Sequence, residues 1–248
     1  MLDKIYFLSQ QLTDLNAYKF GELNGHYIVI AYLPNGVYGT VSAAAVVSRM
    51  RLTFPQLQFG LMVGIGGGVP SKSNDIRLGD VVVSKPSGKY GGVIQYDYGK
   101  AVQGGQFEPT GFLNQPPSAL LTHVSKLEEQ QMTGGKDAIS KLVNIALEQN
   151  PNIKERFSPP PPEQQTDFLF CSSYHHADKG LDCEKCDKEQ LVDREPRDIR
   201  APYIHYGLIA SGNRVMKDSE TRDRLAQQHG ILCFEMEAAG LMNELPTR

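Results

Sequence analysis

Hydrophobic and polar positions along this chain switch between strand-like and helix-like spacing, and the switches mark its elements. Residues 27–33 (YIVIAYL) form a short apolar, β-branched run between Asn24-Gly25 and Pro34-Asn35-Gly36, which predicts a buried strand held between turns. Residues 40–51 (TVSAAAVVSRMR) are alanine-rich with a hydroxyl residue at their head, which predicts an N-capped helix. Residues 59–63 predict a return to strand that runs straight into Gly64-Ile65-Gly66-Gly67-Gly68. Strand, helix and strand within about forty residues predict a crossover onto a sheet buried on both faces, and therefore a layered α/β fold.

Further strands are predicted at 80–84 (DVVVS) and 92–96 (GVIQY), and helical spacing at 118–130 and 136–149, split by Thr133-Gly134-Gly135. The stretch 150–200 breaks the pattern: prolines fill 159–162, and charged or polar residues dominate from there to residue 200, which predicts an insertion or long loop. Order resumes with a strand at 204–210 (IHYGLIA), an amphipathic helix at 219–228, and Cys233-Phe234 leading into a helix near Glu235. No internal repeat or heptad is present, which excludes a solenoid or coiled coil.

Bulk properties narrow the function. With 248 residues and 40% hydrophobic content, the chain suits one sizeable domain over 1–248. A net charge of −3 gives no basic field to draw nucleic acid or an anionic membrane, so a small, near-neutral ligand is expected instead. No apolar run approaches the roughly 18 to 20 residues of a membrane span, and residues 1–11 lack the pattern of a secretory signal, so a cytoplasmic location is expected. Cys171, Cys183, Cys186 and Cys233 are too few and too unevenly spaced for a disulfide framework, and are expected to be reduced.

Three segments could carry chemistry, and each also has a structural reading. The GIGGG turn can bring main-chain amides against a phosphate, carboxylate or ribose oxygen, or can be a tight turn that needs positive φ. In Glu235-Met236-Glu237-Ala238-Ala239-Gly240, two carboxylates stand at a strand-to-helix junction; one can accept hydrogen bonds from a vicinal diol, or both can simply be solvated and matched to the helix dipole. Ala210-Ser211-Gly212-Asn213, followed by Val215-Met216, is placed to cap a flat base, or is an ordinary β-to-α turn.

Taken in order, GLMVGIGGGVP (60–70), IRLGDVVVS (76–84), HYGLIASGN (205–213) and CFEMEAAG (233–240) closely resemble the purine and uridine phosphorylase and nucleosidase superfamily. The nearest flavour is the fungal nucleoside-phosphorylase-like domain found at the N-terminus of NACHT, ankyrin or tetratricopeptide proteins. The resemblance implies a three-layer α/β/α fold with a central mixed sheet, a small nucleoside as ligand, no cofactor, and a homo-oligomer as a compatible state. It implies that Gly66 and Gly67 line the ribose or anion site, that Val215 and Met216 stack near the base, and that Glu235, Met236 and Glu237 hold the sugar, Glu237 foremost.

The same resemblance exposes departures. Met62 and Ile65 stand where bacterial phosphorylases carry an arginine and a serine that grip phosphate, which favours hydrolysis over phosphorolysis; Arg51 and Arg77 are the candidate substitutes. Relative to the family, the chain is expected to lack the first strand and the strand bearing the aspartate that protonates the departing purine. Such an acid contributes about 10² to 10⁴ in rate, so this chain is expected to be weakly active or inactive, with a non-catalytic sensor or interaction module as the rival reading.

Inside the polar insertion, Cys183-Glu-Lys-Cys186 has the spacing of a zinc knuckle, with His176 as a third ligand and a further thiol available to complete a tetrahedron. With a single CxxC present, a structural zinc, ligand-free surface thiols and redox chemistry all stand as readings.

Overall fold

The computed structural model describes residues 2–9, 13–101, 107–134, 138–158, 167–176, 183–197 and 201–245. The expected proline run at 159–162 lies outside them.

The core is a mixed five-stranded sheet built on β9 (Ile204–Ser211). One edge of β9 pairs in parallel with two strands in succession: β5 (Val81–Ser84) along Ile204 to Gly207, and β6 (Val93–Gln95) along Ile209 to Ser211. Its other edge takes β10 (Ile231–Glu235) in parallel, and β10 in turn pairs antiparallel with the short β4 (Gly67–Gly68). A helix, α5 (Ser219–His229), joins β9 to β10. It is capped by Asp218, whose carboxylate accepts from the Glu220 and Thr221 amides, and closed by Gly230 at φ 75° in the left-handed region.

Alternation along β9 puts helices on both faces. Leu208 and Ala210, both 0% exposed, meet Leu225 of α5 together with Val69, Ile94, Tyr96, Ile231 and Phe234. Ile231 and Phe234 are three residues apart, which strict alternation would set on opposite faces; a register shift between Ile231 and Cys233 turns both toward this core. On the opposite face, Ser211 Oγ accepts from the Ala239 amide of α6 (Ala238–Leu241), and α6 packs against α1 (Thr40–Thr53) through Ala43, Val47 and Leu241. The expected three layers and central mixed sheet are present.

Several local expectations are corrected. The 27–33 run forms β3 (His26–Ala31), but it lies in a separate antiparallel meander with β1 (Lys4–Tyr6) and β2 (Tyr18–Leu23), not in the core sheet. The Asn24-Gly25 turn accounts for the β2–β3 pairing: both residues have positive φ, the geometry that folds a tight hairpin back on itself. The meander attaches to the end of α1 through Tyr18 and Phe20, whose rings lie 5.0 and 5.7 Å from Phe54. Residues 59–63 form no strand. Met62 packs against the α1–α6 cluster, while Leu61, Val63 and Ile65 are exposed, and no strand among the described residues pairs with this run. β9–α5–β10 is a crossover of the expected kind, and residues 27–63 form none.

The 118–130 and 136–149 patterns become α2 (Ser118–Thr133) and α3 (Ala138–Glu148). The stretch from 150 carries a short helix, α4 (Pro151–Phe157), and a 3-10 turn at Lys188–Gln190. Strands β7 (Gly99–Ala101) and β8 (Phe107–Pro109) form a two-stranded sheet of their own. No helix among the described residues is long and apolar enough to cross a membrane.

Candidate functional site

The parallel strands β6, β9 and β10 end level with one another: Gln95 pairs with Ser211, and Ser211 with Glu235. In open α/β sheets the crevice beyond such carboxyl ends is where ligands bind, because the loops that leave it diverge. Three of the sequence-predicted segments meet at this rim.

Glu235 is the last residue of β10. Its Oε2 accepts from the amides of Glu237 (2.8 Å) and Ala238 (2.9 Å), so the carboxylate closes the first turn of α6. Oε1 is buried with no hydrogen-bond geometry to any described group. Burial pushes the Glu235 carboxyl up, and the charge of Glu237 adds to this; the nearby Ser211 hydroxyl and the two amides offset part of the shift. Cys233, on the same strand, is pushed up to about 12, by burial and then by Glu235, so its thiol is inert.

Glu237 faces the other way along the rim. Its Oε1 accepts from the Gly39 amide at 3.1 Å, just ahead of α1. Next to it, Asn213 Oδ1 accepts from both the amide and the hydroxyl of Thr40, each at 3.0 Å. The Thr40 hydroxyl therefore does not cap its own helix, as its position predicted; Gly39 occupies the N-cap, with φ 98° and its α-carbon close against Asn213. A Cβ at Gly39 would stand 2.8 Å from Asn213 Oδ1, so only glycine fits both the backbone conformation and the approach. Asn213 is in turn held by its amide on Asp97 Oδ2 at 2.7 Å, and Asp97 is also reached by Gln95 Nε2 at 3.2 Å.

The glycine segment adjoins the same rim through β4, since Gly67 pairs with Phe234. None of Gly64, Gly66, Gly67 and Gly68 has positive φ, so the tight-turn reading does not hold. These glycines are needed for close approach: a Cβ on Gly66 would lie 3.1 Å from the Phe234 carbonyl oxygen, and one on Gly68 2.8 Å from Ile76. Gly67 is different, with nothing within 4 Å of that position. Its face opens outward, where a ligand can approach bare backbone.

Val215 is exposed, while Met216 is half-buried against the core under β9; Met236 is half-buried beside the two glutamates. Met62 and Ile65 bring no charge to the rim, and neither candidate substitute arginine is held there. Arg51 pairs with Glu244 at 3.6 Å, and Arg77 is bound to Asp75 near the opposite end of β5. The residues that sequence reasoning missed are Gly39, Thr40 and Asp97. A glycine-threonine pair at the head of a helix was the available signal for the first two; Asp97 had none, because its role depends on β6 lying beside β9.

At the other end of the sheet lies a second polar cluster. Asp80, with its side chain 1% exposed, accepts from the Tyr203 and Arg77 amides at 2.9 Å each and from Arg197 at 2.7 and 2.8 Å, with His205 Nε2 at 2.9 Å. Burial alone would raise its carboxyl, but the bonds from His205 and Arg197, then those two amides, hold it well below the usual carboxylate range. The cluster fastens the start of β5 to the start of β9.

Comparison with known proteins fits this layout. No family model matches the chain. A nucleotide-binding leucine-rich repeat (NLR)-like protein of the fungus Hyaloscypha variabilis is 47% identical over 245 residues, which is 98% of this chain; the chain spans only 23% of that relative's length. Among solved structures, a Helicobacter pylori 5'-methylthioadenosine/S-adenosylhomocysteine nucleosidase aligns over 97% of this chain and 69% of its own, with TM-score 0.54 and 15% identity. Helicobacter pylori futalosine hydrolase aligns over the same shares with TM-score 0.53 and 15% identity. A Colwellia psychrerythraea 5'-methylthioadenosine/S-adenosylhomocysteine nucleosidase in complex with adenine covers 98% of this chain and 68% of its own, with TM-score 0.51 and 17% identity. With its parallel strands closing on a shared rim and these structures superposing along nearly its full length, the chain has the nucleoside phosphorylase/nucleosidase fold.

Proposed function

We propose that this chain binds a purine nucleoside at the rim formed by β6, β9 and β10. Glu237 accepts the ribose hydroxyls, the open face of Gly67 contacts the sugar or an anion, and Val215 and Met216 flank the base. The observation that carries the reading is the meeting of an acceptor carboxylate, bare glycine backbone and the Asn213 loop at the carboxyl ends of neighbouring parallel strands. Adenine and 5'-methylthioadenosine in the names of proteins with this fold support a purine as the base. With Met62 and Ile65 carrying no charge at the glycine segment, water is favoured over phosphate as the nucleophile in any glycosidic cleavage.

Calorimetry with adenosine, inosine and methylthioadenosine tests this reading. Glu237→Ala is expected to weaken binding about 10- to 100-fold, the range for a hydrogen bond to a charged group. Gly67→Ala is expected to fold normally, since its Cβ meets nothing, yet to weaken binding as well. Equal affinity in both variants, or no binding by the wild type, removes the assignment. Base release is followed in parallel with and without phosphate; slow or absent release is expected, and faster release with phosphate would overturn the hydrolytic preference.

A second reading has its own support. The 47% identical relative is an NLR-like protein more than four times as long, so the domain can serve as a ligand-sensing module within a larger receptor. Tight nucleoside binding without turnover favours the sensor; turnover favours the enzyme.

A further inference from the structure

The polar insertion is a unit that should not hold itself together. Its described arms, 167–176 and 183–197, meet through the antiparallel bridge Phe170 to Leu191, the Cys171 amide on the Gln190 carbonyl and the Val192 amide on the Leu169 carbonyl. Among these residues only one side chain is buried, and it is the thiol-bearing Cys186. So little apolar burial cannot offset the ordering of about 25 residues, each costing about 1.5 kcal/mol, and small units of this kind depend on a disulfide or a metal.

No disulfide joins the cysteines, and two of the insertion's thiols converge with a histidine. Cys183 and Cys186 sit on one tight turn, closed by the Cys186 amide on the Cys183 carbonyl at 3.2 Å. His176 comes from the other arm and sets Nε2 3.8 Å from Cys183 Sγ; the ligand atoms of all three residues lie within 4.8 Å of one another. Two ligands of a tetrahedral zinc, at about 2.3 Å for sulfur and 2.0 to 2.1 Å for nitrogen, are about 3.6 Å apart. Lys188 Nζ donates to the Cys183 carbonyl at 2.9 Å, which adds positive charge beside the sulfur pair.

We propose that Cys183, Cys186 and His176 supply three of the four ligands of a structural zinc ion that staples the two arms of the insertion together; Cys171, the further thiol the sequence offered, lies outside the cluster. The staple has a consequence for the sheet. The same arms present Arg194 to Asp75 and Asp167, Arg197 to Asp80, and the Ser172 carbonyl to Ser219 at the head of α5. Zinc thereby keeps in place the arginine clamp that fastens β5 to β9. This proposal does not depend on the nucleoside reading.

The test is zinc content of the full 248-residue chain, purified without chelator and measured by elemental analysis. About one zinc per chain is expected in the wild type, below about a tenth in Cys183→Ser, Cys186→Ser and His176→Ala, and an unchanged content in Cys171→Ser, whose thiol stands outside the cluster. Cobalt substitution of the wild type supplies a readout that needs no variant to fold: a thiolate-to-cobalt charge-transfer band and the intense visible bands of a tetrahedral site are expected. Chelation should speed amide exchange at 167–176, 183–197 and around Arg77 and Tyr203, and leave Val93–Gln95 protected. Substoichiometric zinc with no change on chelation, or a disulfide between Cys183 and Cys186 in the purified chain, overturns the proposal.

Discussion

Glu235 and Gly240 show why the EMEAAG segment has the composition it has. A Cβ at Gly240 would overlap the Thr40 carbonyl oxygen and come within 2.7 Å of its carbon, so the glycine lets α6 lie directly on the first turn of α1 and brings Glu237 to Gly39. Glu235 contributes differently, as a buried carboxylate whose ionised form costs stability. Because its folded pKa is raised above the ordinary value of 4.5, the chain should lose stability as pH rises from about 4.5 through the folded value and then level off. Glu235→Gln keeps an oxygen for the Glu237 and Ala238 amides and removes the charge. We expect this variant to be at least as stable as the wild type at about pH 8, with the pH dependence in that window flattened, as measured by urea denaturation at about pH 4.5, 6 and 8. A large loss of stability at the alkaline end would contradict it.

Elements in this fold are joined at their ends as much as along their lengths. β5 and β6 share one edge of β9, and each contributes only a short ladder: four residue pairs for β5 and three for β6. The Asp80 cluster anchors the β5 end, where one buried carboxylate gathers Arg197, His205 and two amides. Removing a partner from a buried ion pair leaves the other uncompensated, so Asp80→Asn is expected to cost about 2 to 4 kcal/mol in chemical denaturation, with the β5 amides exchanging first. The sign with pH is opposite to that of Glu235. Asp80 is held below its ordinary value of 3.8, so its contribution is complete above that value and is lost as pH falls below it toward the folded pKa. The wild type should therefore lose stability in acid more steeply than Asp80→Asn.

Over the whole molecule, apolar surface is distributed unevenly. The β9 core is closed, whereas Leu61, Val63 and Ile65 stand 72%, 91% and 99% exposed along one side of an extended segment. Side chains already in water contribute little to folding, so Val63→Lys with Ile65→Lys should change stability by no more than about 0.5 kcal/mol while raising solubility. Leu208→Ala, in the closed core, should cost about 2 to 5 kcal/mol by the same measurement. The contrast between these segments also separates the features legible in the chain from those that were not. Local chemistry alone determined the Asn24-Gly25 turn, the helix at 219–228, the strands at 81–84, 93–95 and 204–211, and the glutamates at the end of β10, because periodicity and turn residues act over a few positions. Strand formation at 59–63 could not be settled this way, since a strand is made by its neighbour and none among the described residues pairs with that run. Tertiary structure alone decided that β3 leaves the core sheet and that Asp97 and Thr40 converge on Asn213. Each of these depends on contacts between residues far apart in the chain, and hydrophobic spacing carries no information about which distant segments will meet.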